Sequence, residues 1–213
     1  MIFITNSRVD KWKNGIILFS DIIQKYPDKA FAYYNRGLLY LNENKIPEAK
    51  TDFDKAVTLG MKHEAVFFNR GTANLYLNNY NDAIKDFDIA LKYDSCHALS
   101  YYNKGLAFAY QKNYETALKN FSKAMKCDSS MIFIYYDIAN AYFGLKNFKL
   151  SIKNFKTAIN HQINIGNSYY MLGMSYYYIS KIDSACFYWN KAYNNGYSQA
   201  LGAIKANCFT KSN

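Results

Sequence analysis

Residues 30–63, AFAYYNRGLLYLNENKIPEAKTDFDKAVTLGMKH, decide the fold of this 213-residue chain because their spacing recurs along most of it. A small residue returns every 34 residues without an insertion, at Gly37, Gly71, Gly105, Ala139 and Gly173. Three later slots keep the same register and hold Ala49, Ala83, Ala117, Ser151 and Ala185, then Phe53, Phe87, Phe121, Phe155 and Trp189, then Ala56, Ala90, Ala124, Ala158 and Ala192. A fixed period of this size is typical of a stacked repeat architecture.

Each unit predicts two antiparallel helices. Tyr33, Gly37 and Tyr40 are spaced three and four residues apart, which is one stripe of an α-helix. A turn follows around Asn44, and Pro47 stands where a second helix begins, a position at which its missing N–H costs nothing. The small residues let the two backbones approach closely, while the aromatic of the second helix fills the space beside the crossing. One hairpin buries too little apolar surface, so stacking of neighbours supplies the stability.

This pattern resembles the tetratricopeptide repeat, whose units carry an aromatic, Leu-Gly, Tyr, Ala, an aromatic, Ala and a closing Pro. Two departures stand out: Asn74 replaces the first-helix aromatic of the second unit, and the closing Pro is missing from all five units. The first aromatic slot holds Tyr33, Phe67, Tyr101, Tyr135 and Tyr169. The resemblance covers about residues 12 to 208. It implies an all-α solenoid, a right-handed superhelix of antiparallel helix pairs with five full repeats, an N-terminal half repeat and a C-terminal capping helix.

The register also predicts the boundaries of the units. We expect a truncated repeat over 1–29, five repeats over 30–63, 64–97, 98–131, 132–165 and 166–197, and a capping helix and tail over 198–213. The helix over 12–26 is apolar nearly all round, which predicts cover on more than one side. We therefore expect self-association through this N-terminal helix, or fraying of segment 1–11.

Two weaker resemblances concern the chain ends. Residues 7–27 are similar to the junction between the membrane part and the repeat tail of bacterial mannosyltransferase-like proteins, which would mean that this chain arose by truncation of a longer ancestor. The C-terminal stretch from Ser184 resembles the terminal repeats of tetratricopeptide-repeat proteins from the Bacteroidetes.

Composition and charge indicate where the protein is located and which class of partner it binds. The sequence shows no transmembrane segment and no secretory signal, so we expect a cytoplasmic protein. The net charge of +10 is concentrated after residue 96, where 13 lysines face 4 acidic residues. Two second helices carry lysine stripes, made of Lys119, Lys123, Lys126, Lys149, Lys153 and Lys156. A lysine ammonium is a point charge and lacks the forked donors with which arginine recognises base edges. We therefore interpret the stripes as a solvated face and disfavour nucleic acid as partner.

Catalytic and metal-binding motifs are missing from the sequence. It holds no phosphate loop, nucleophile elbow or zinc-protease motif, so we expect no enzyme, no cofactor and no metal. Cys96, His97 and Cys127 fall in successive turns but lack the tight pairs of zinc sites. We expect the four cysteines to be free thiols, with a Cys186–Cys208 disulfide as the alternative in an oxidising setting.

Pairs of acidic residues on the second helices could form a shared site, but their spacing argues against it. The carboxylates are two residues apart, so they point to different sides of a helix instead of sharing a site. We expect them to cap and solvate these helices, and the pairs are Asp52 with Asp54 and Asp86 with Asp88.

Binding is the remaining candidate function. The resemblance implies that first helices line a concave groove, and in some repeat proteins of this kind asparagines in that groove hold the backbone of an extended peptide. Here the corresponding slot holds Asn35, Asn69 and Asn103, and the slot directly before it holds aromatics, namely Tyr34, Phe68, Tyr102, Tyr136 and Tyr170. An amide offers both donor and acceptor, and aromatics suit apolar anchors. The alternatives are that Asn-Arg-Gly is simply common in such repeats and that the aromatics pack between helices.

The sequence thus predicts a non-catalytic adaptor that binds a protein or peptide partner, either an extended peptide or a partner helix. The chaperone-binding members of this family hold the C-terminal carboxylate of the chaperone with a clamp of Lys and Arg side chains. The corresponding slots of this chain hold no such cations, which disfavours a receptor of that kind. An accessory module of a membrane glycosyltransferase system is the first alternative. A basic face that binds nucleic acid or an anionic surface is the second.

Overall fold

The computed structural model describes residues 15–208, and these form twelve helices with no strand among them. The helices are α1 (Gly15–Lys25), α2 (Ala30–Asn42), α3 (Ile46–Thr58), α4 (Glu64–Tyr76), α5 (Tyr80–Tyr93), α6 (Ala98–Tyr110), α7 (Tyr114–Cys127), α8 (Ile134–Gly144), α9 (Phe148–Asn160), α10 (Ile165–Tyr178), α11 (Ile182–Asn194) and α12 (Ala200–Asn207). The all-α prediction is confirmed.

The chain divides into two compact units, Met1–Ala107 and Phe108–Asn213. In the first unit each helix from α1 to α5 packs against its neighbour in the chain, and α2 also contacts α4. The second unit repeats this arrangement from α7 to α12, where α8 also contacts α10. First helices therefore lie beside one another within each unit, and this places equivalent slots of successive repeats close together.

The turn inside each repeat has the same backbone geometry. One residue takes a left-handed conformation with φ near +60°, and it recurs at Asn44, Asn78, Lys112, Lys146 and Ser180. Its amide donates to a carbonyl near the end of the first helix, as from Asn44 to Leu41 at 3.0 Å. The second helix then begins two residues later, with Pro47 in its first turn. The sequence period is therefore also a period of backbone geometry.

The core consists of the second-helix aromatic packed against the small residue of the first helix. The rings of Phe53, Phe87, Phe121, Phe155 and Trp189 are buried, as are the alanines on either side of them. A methyl group added to Gly71 would meet the Phe87 ring at 2.8 Å, and one added to Gly37 would meet Phe53 at 2.7 Å. The predicted reason for the small residues is confirmed at Gly37 and Gly71, where an added Cβ would have no room beside the ring.

The C-terminal helix covers the last repeat. Ala200 and Ile204 of α12 join the buried cluster around Trp189. Cys208, at the end of this helix, forms a disulfide with Cys186 on α11. The prediction of free thiols is wrong, since no cysteine among the described residues is free. The sulfur atoms are adjacent because α12 packs antiparallel to α11, and the alternative left open at Cys186 and Cys208 is the arrangement found.

The N-terminal helix α1 packs on α2 and has no fully buried residue. Ile17 is among its exposed side chains. Self-association through this face stays a prediction, and the expected fraying of segment 1–11 lies outside the described residues. Along residues 15–208, no helix combines the length and apolar character needed to cross a membrane.

Candidate functional site: the face of the first helices

The candidate site follows the first helix of each repeat. Four slots spaced over two helical turns share one side of that helix, and we call their residues the groove face. In the first unit these residues are Phe31, Tyr34, Asn35, Leu38, Ala65, Phe68, Asn69, Thr72, Leu99, Tyr102, Asn103 and Leu106. None of them carries a formal charge. The groove face of the first unit therefore presents apolar surface, hydroxyls and amides.

Asn69 is bonded to its own helix and to the preceding repeat. Its Nδ2 donates to the Ala65 carbonyl at 2.8 Å and to the Tyr34 hydroxyl at 3.1 Å. A carbonyl only accepts hydrogen bonds, so the amide orientation is determined by this contact. Both N–H donors of the amide are thus in use, and no described residue donates to Oδ1 in these contacts. This amide can offer a ligand an acceptor but no donor.

The other two asparagines of the predicted ladder differ from Asn69. Asn103 donates to the Thr72 hydroxyl of the preceding repeat at 3.2 Å. Asn35 donates to the Phe31 carbonyl one turn earlier at 2.7 Å. The structure therefore bonds both Asn69 and Asn103 to the preceding first helix, though at different slots, those of Tyr34 and Thr72, whereas Asn35 bonds within its own helix.

The predicted aromatics are half-buried, so the packing alternative accounts for part of each ring. Phe68 lies 6.2 Å from Phe87 of its own second helix and meets His97 edge-on at 4.9 Å. Tyr34 has the equivalent neighbours, Phe53 at 5.9 Å and His63 at 5.6 Å. Each of these two rings thus packs against its own repeat and keeps part of its surface exposed.

The Tyr34 hydroxyl has a defined protonation state. Burial raises the pKa of this hydroxyl above its ordinary value, and the Asn69 amide opposes the rise by donating to the oxygen. The hydroxyl therefore stays protonated at neutral pH. Since its oxygen accepts from Asn69, its proton can be donated to a ligand.

The second unit has a related arrangement at shifted positions. Asn167 donates to the Tyr136 hydroxyl at 2.6 Å, and burial raises the pKa of Tyr136. Tyr170 packs against Tyr197 at 5.0 Å. Asp137 stands where the first unit has asparagine, so this groove face is charged. Sequence reasoning did not identify Asn167 as a partner of Tyr136; its only signal was a polar residue at a slot otherwise held by Phe31, Ala65, Leu99 and Phe133.

A second set of aromatics is more exposed than the predicted one. Tyr76 and Tyr110, at the ends of α4 and α6, have relative exposures of 66% and 58%. Phe31, Phe133 and Tyr178 are also exposed. These rings lie near the groove-face slots in sequence and have more surface to offer a partner than the five half-buried rings.

The acidic pairs do not serve only as caps. Asp52 and Asp86 are buried, and each binds an arginine of the first helix in the same repeat. Arg36 donates to Asp52 at 2.7 and 2.8 Å, and Arg70 donates to Asp86 at distances down to 2.6 Å. The expectation that these carboxylates solvate the second helices is wrong, because the i, i+16 spacing aligns them with an arginine. Asp54 also receives a bond from Arg70, at 3.2 Å.

The structure also places the possible metal ligands and the lysines of the two basic stripes. No group of three or more His, Cys, Asp or Glu within residues 15–208 is placed to hold a metal ion. The six lysines of the two stripes are all exposed.

The comparisons with known proteins agree with this architecture. The tetratricopeptide repeat family matches residues 98–131 in one form of its repeat, and residues 32–59 and 134–160 in another. No curated protein matches the chain. The chain therefore carries tetratricopeptide repeats, on the evidence of the matched segments and of the fold.

Solved structures with the same fold have low sequence identity to this chain. PilW, a type IV pilus biogenesis factor, is 17% identical with a TM-score of 0.74, and the alignment covers 87% of each chain. MamA from Desulfovibrio magneticus RS-1, residues 41 to the end, is 21% identical with a TM-score of 0.72, covering 80% of this chain and 96% of MamA. YrrB, described as a TPR protein with an unusual peptide-binding site, is 18% identical with a TM-score of 0.70, covering 88% and 97%. At this identity the likeness defines the fold, an all-α tetratricopeptide-repeat solenoid.

Proposed function

We propose that this chain is a non-catalytic adaptor that binds an extended peptide segment of a protein partner on the groove face of its first unit. The observation that carries the proposal is the pair formed by Asn69 and Tyr34. Because the amide donates to the hydroxyl, the pair presents one acceptor, Asn69 Oδ1, beside one donor, the Tyr34 O–H. A peptide backbone offers the complementary groups, one N–H and one C=O per residue.

The chemistry around this pair favours a segment without charge. The twelve groove-face residues of the first unit are neutral, so a charged side chain of the ligand would lose hydration without gaining a partner among them. An acidic side chain would in addition be repelled by the Glu64 carboxylate, whose charge acts on the Tyr34 hydroxyl. Leu38, Phe68 and Leu106 supply apolar contacts for side chains of the segment. Tetratricopeptide-repeat proteins are generally protein-interaction adaptors, and the description of YrrB as having a peptide-binding site agrees with this role for the fold.

The two alternatives receive less support. An accessory role in a membrane glycosyltransferase system is not favoured by the structures to which this chain is similar. A basic face that binds nucleic acid would depend on six exposed lysines with no arginine among them, which lack bidentate readout. The cytoplasmic location also stays a prediction, since a disulfide such as Cys186–Cys208 is typical of an oxidising compartment.

The proposal is tested by selecting peptides from a random display library on the full chain. We expect the recovered sequences to share apolar residues and to need neither a charged residue nor a free carboxyl terminus. In NMR titrations the selected peptides should shift the side-chain amide signals of Asn69 and Asn103 and leave those of Asn154 and Asn190, on second helices, unchanged. Recovery of uniformly acidic peptides, with shifts confined to α7 and α9, would instead support the basic face.

A further inference from the structure

An apolar surface is exposed where a helical hairpin of the second unit turns. Tyr177 and Tyr178 end α10, Ile179 follows them, and Ile182 begins α11. Between 37% and 54% of the surface of each of these four residues is exposed. Single exposed apolar residues are ordinary, but a contiguous group of them usually marks a contact with another molecule.

Two further rings join this surface from the neighbouring hairpin. The Phe148 ring at the start of α9 stacks on the Tyr178 ring, with centroids 5.0 Å apart and planes 5° from parallel. Phe143, near the end of α8, meets these two rings edge-on at 5.5 and 5.6 Å. The α8–α9 and α10–α11 turns therefore lie side by side. We call the six residues together the turn-edge patch, namely Phe143, Phe148, Tyr177, Tyr178, Ile179 and Ile182.

Lysines accompany the turn-edge patch. The stretches of chain that contain its residues hold three lysines and one carboxylate, namely Lys146, Lys149, Lys181 and Asp183. All three lysines are exposed, and among residues 15–208 none of them has a carboxylate within ion-pair distance. The preceding turn adds one charge of each sign, at Lys112 and Glu115, and these cancel. The patch is therefore apolar with a positively charged border.

The first repeat has a paired cation at the corresponding position. Lys45 holds there the slot that Lys181 holds in the fifth repeat, and it binds Glu43 at 2.7 Å. In the fifth repeat the slot of Glu43 is taken by Ile179. A cation beside an apolar side chain has thus replaced an ion pair. The turn-edge patch is consequently a feature of the second unit and does not follow from the repeat pattern.

We propose that the turn-edge patch binds the surface of a membrane that contains anionic lipids. Tyrosine favours the headgroup region because its ring is apolar and its hydroxyl is polar. Phe148 and the two isoleucines of the patch supply apolar contacts for the adjoining part of the acyl chains. Lysines at such a surface are attracted by the negative potential of anionic headgroups.

A protein partner fits the patch less well. Aromatic residues are enriched in protein–protein interfaces, but lysine is depleted in them, so the rings fit such a partner and the lysines do not. An anionic membrane fits both. The patch lies on the turns of the second unit, so this inference does not depend on the groove function proposed for the first unit.

The first measurement is co-sedimentation of the full chain with two kinds of vesicle, one of phosphatidylcholine alone and one that also contains phosphatidylserine. Three lysines and one aspartate give the patch a net charge of +2. Each net positive charge strengthens binding to an anionic surface about fivefold, so we expect about 25-fold tighter binding to the phosphatidylserine vesicles. High salt should reduce this preference. Equal sedimentation with both kinds of vesicle, or none with either, would overturn the proposal.

Matched charge variants separate the patch from the rest of the basic surface. Lys146→Gln combined with Lys181→Gln removes the lysines of the two turns, so it should abolish the preference for phosphatidylserine. Lys119→Gln combined with Lys153→Gln removes the same charge from exposed positions on second helices and should preserve most of the preference. Equal losses in the two double variants would show that net charge alone attracts the chain, which would contradict the assignment.

An introduced indole reports whether the rings enter the membrane. Tyr178→Trp keeps an aromatic ring in the patch, so this variant should fold, and bromine atoms on the lipid acyl chains should quench its added fluorescence. Tyr76→Trp is the matched control, because Tyr76 holds the same slot in the second repeat and is 66% exposed. Equal quenching in the two variants, or none in Tyr178→Trp, would refute insertion of the patch. Self-association abolished by Tyr178→Ser, without vesicle binding, would instead identify a second copy of the chain as the partner.

Discussion

Asn69 donates a hydrogen bond to the hydroxyl of Tyr34, which stands 35 positions earlier in the chain and 3.1 Å away. A side chain of the second repeat thereby orients a donor of the first, and neither group acts alone. Asn103 also bonds to a hydroxyl of the preceding repeat, but at a different slot, that of Thr72. The polar groups of the groove face are consequently connected across repeats, and a change at one slot alters the group presented by its neighbour.

Gly71 should be intolerant of any side chain. Gly71→Ala places a methyl group 2.8 Å from the buried Phe87 ring. We expect a loss of about 1–3 kcal/mol in the free energy of unfolding, as for other overpacked cores. Gly202→Ala is the matched control, because a methyl group there has no neighbour within 4 Å. It should stabilise α12 by up to about 1 kcal/mol through helix propensity. Urea denaturation of both variants measures the difference, and equal midpoints would refute the packing argument.

The buried Arg70–Asp86 pair should matter more than an exposed ion pair on the same helix. Asp86→Ala leaves the Arg70 guanidinium with only the 3.2 Å contact to Asp54, so we expect a loss of about 3 kcal/mol in stability. Asp82→Ala breaks the exposed pair with Lys85 and should leave the melting temperature unchanged. Thermal melts followed by circular dichroism check both, and similar melting temperatures for the two variants would show that the buried pair adds little.

The Cys186–Cys208 disulfide should stabilise the C-terminal end of the second unit. The bridge closes a loop with a sequence separation of 22, for which the loss of loop entropy in the unfolded chain corresponds to about 3 kcal/mol. In the double variant Cys186→Ser and Cys208→Ser, hydrogen exchange should accelerate in α12 and leave α4 and α5 unaffected. Unchanged protection of α12 would mean that packing of Ile204 alone holds the helix.

The lysine stripes should be dispensable if they only solvate the second helices. Changing Lys119, Lys123, Lys149 and Lys153 to Gln together should alter stability by less than about 1 kcal/mol, as is usual for exposed positions. Binding of the selected peptides should persist at both low and high salt. A loss of binding in the variant, together with steep salt dependence in the parent, would favour an electrostatic partner.

The fold could be predicted from the sequence because its determinants recur. Gly37 and Phe53 contact each other in the structure, and so do Gly71 and Phe87. The 34-residue spacing in the sequence therefore reflects a packing contact that recurs in each of these repeats. Asp86 was assigned wrongly because its partner Arg70 lies 16 positions away, a separation that has no meaning until the two helices are placed. The bond from Asn69 to Tyr34 was missed for the same reason. Asn74 was visible as a departure from the pattern, but its hydrogen bond to the buried Asp86 follows only from the placement of the neighbouring helices.

The central claim is that Asn69 Oδ1 accepts a hydrogen bond from the backbone of a bound peptide. The measurement is a double-mutant cycle by titration calorimetry, which combines Asn69→Ala with N-methylation of each backbone amide of a selected peptide in turn. Asn154→Ala is the matched control, since Asn154 makes the same bond to a carbonyl one turn earlier at 2.8 Å but lies on a second helix. The account predicts one peptide position whose methylation couples to Asn69→Ala by about 0.5–1.5 kcal/mol and does not couple to Asn154→Ala. Additive effects at every position of the peptide would contradict it.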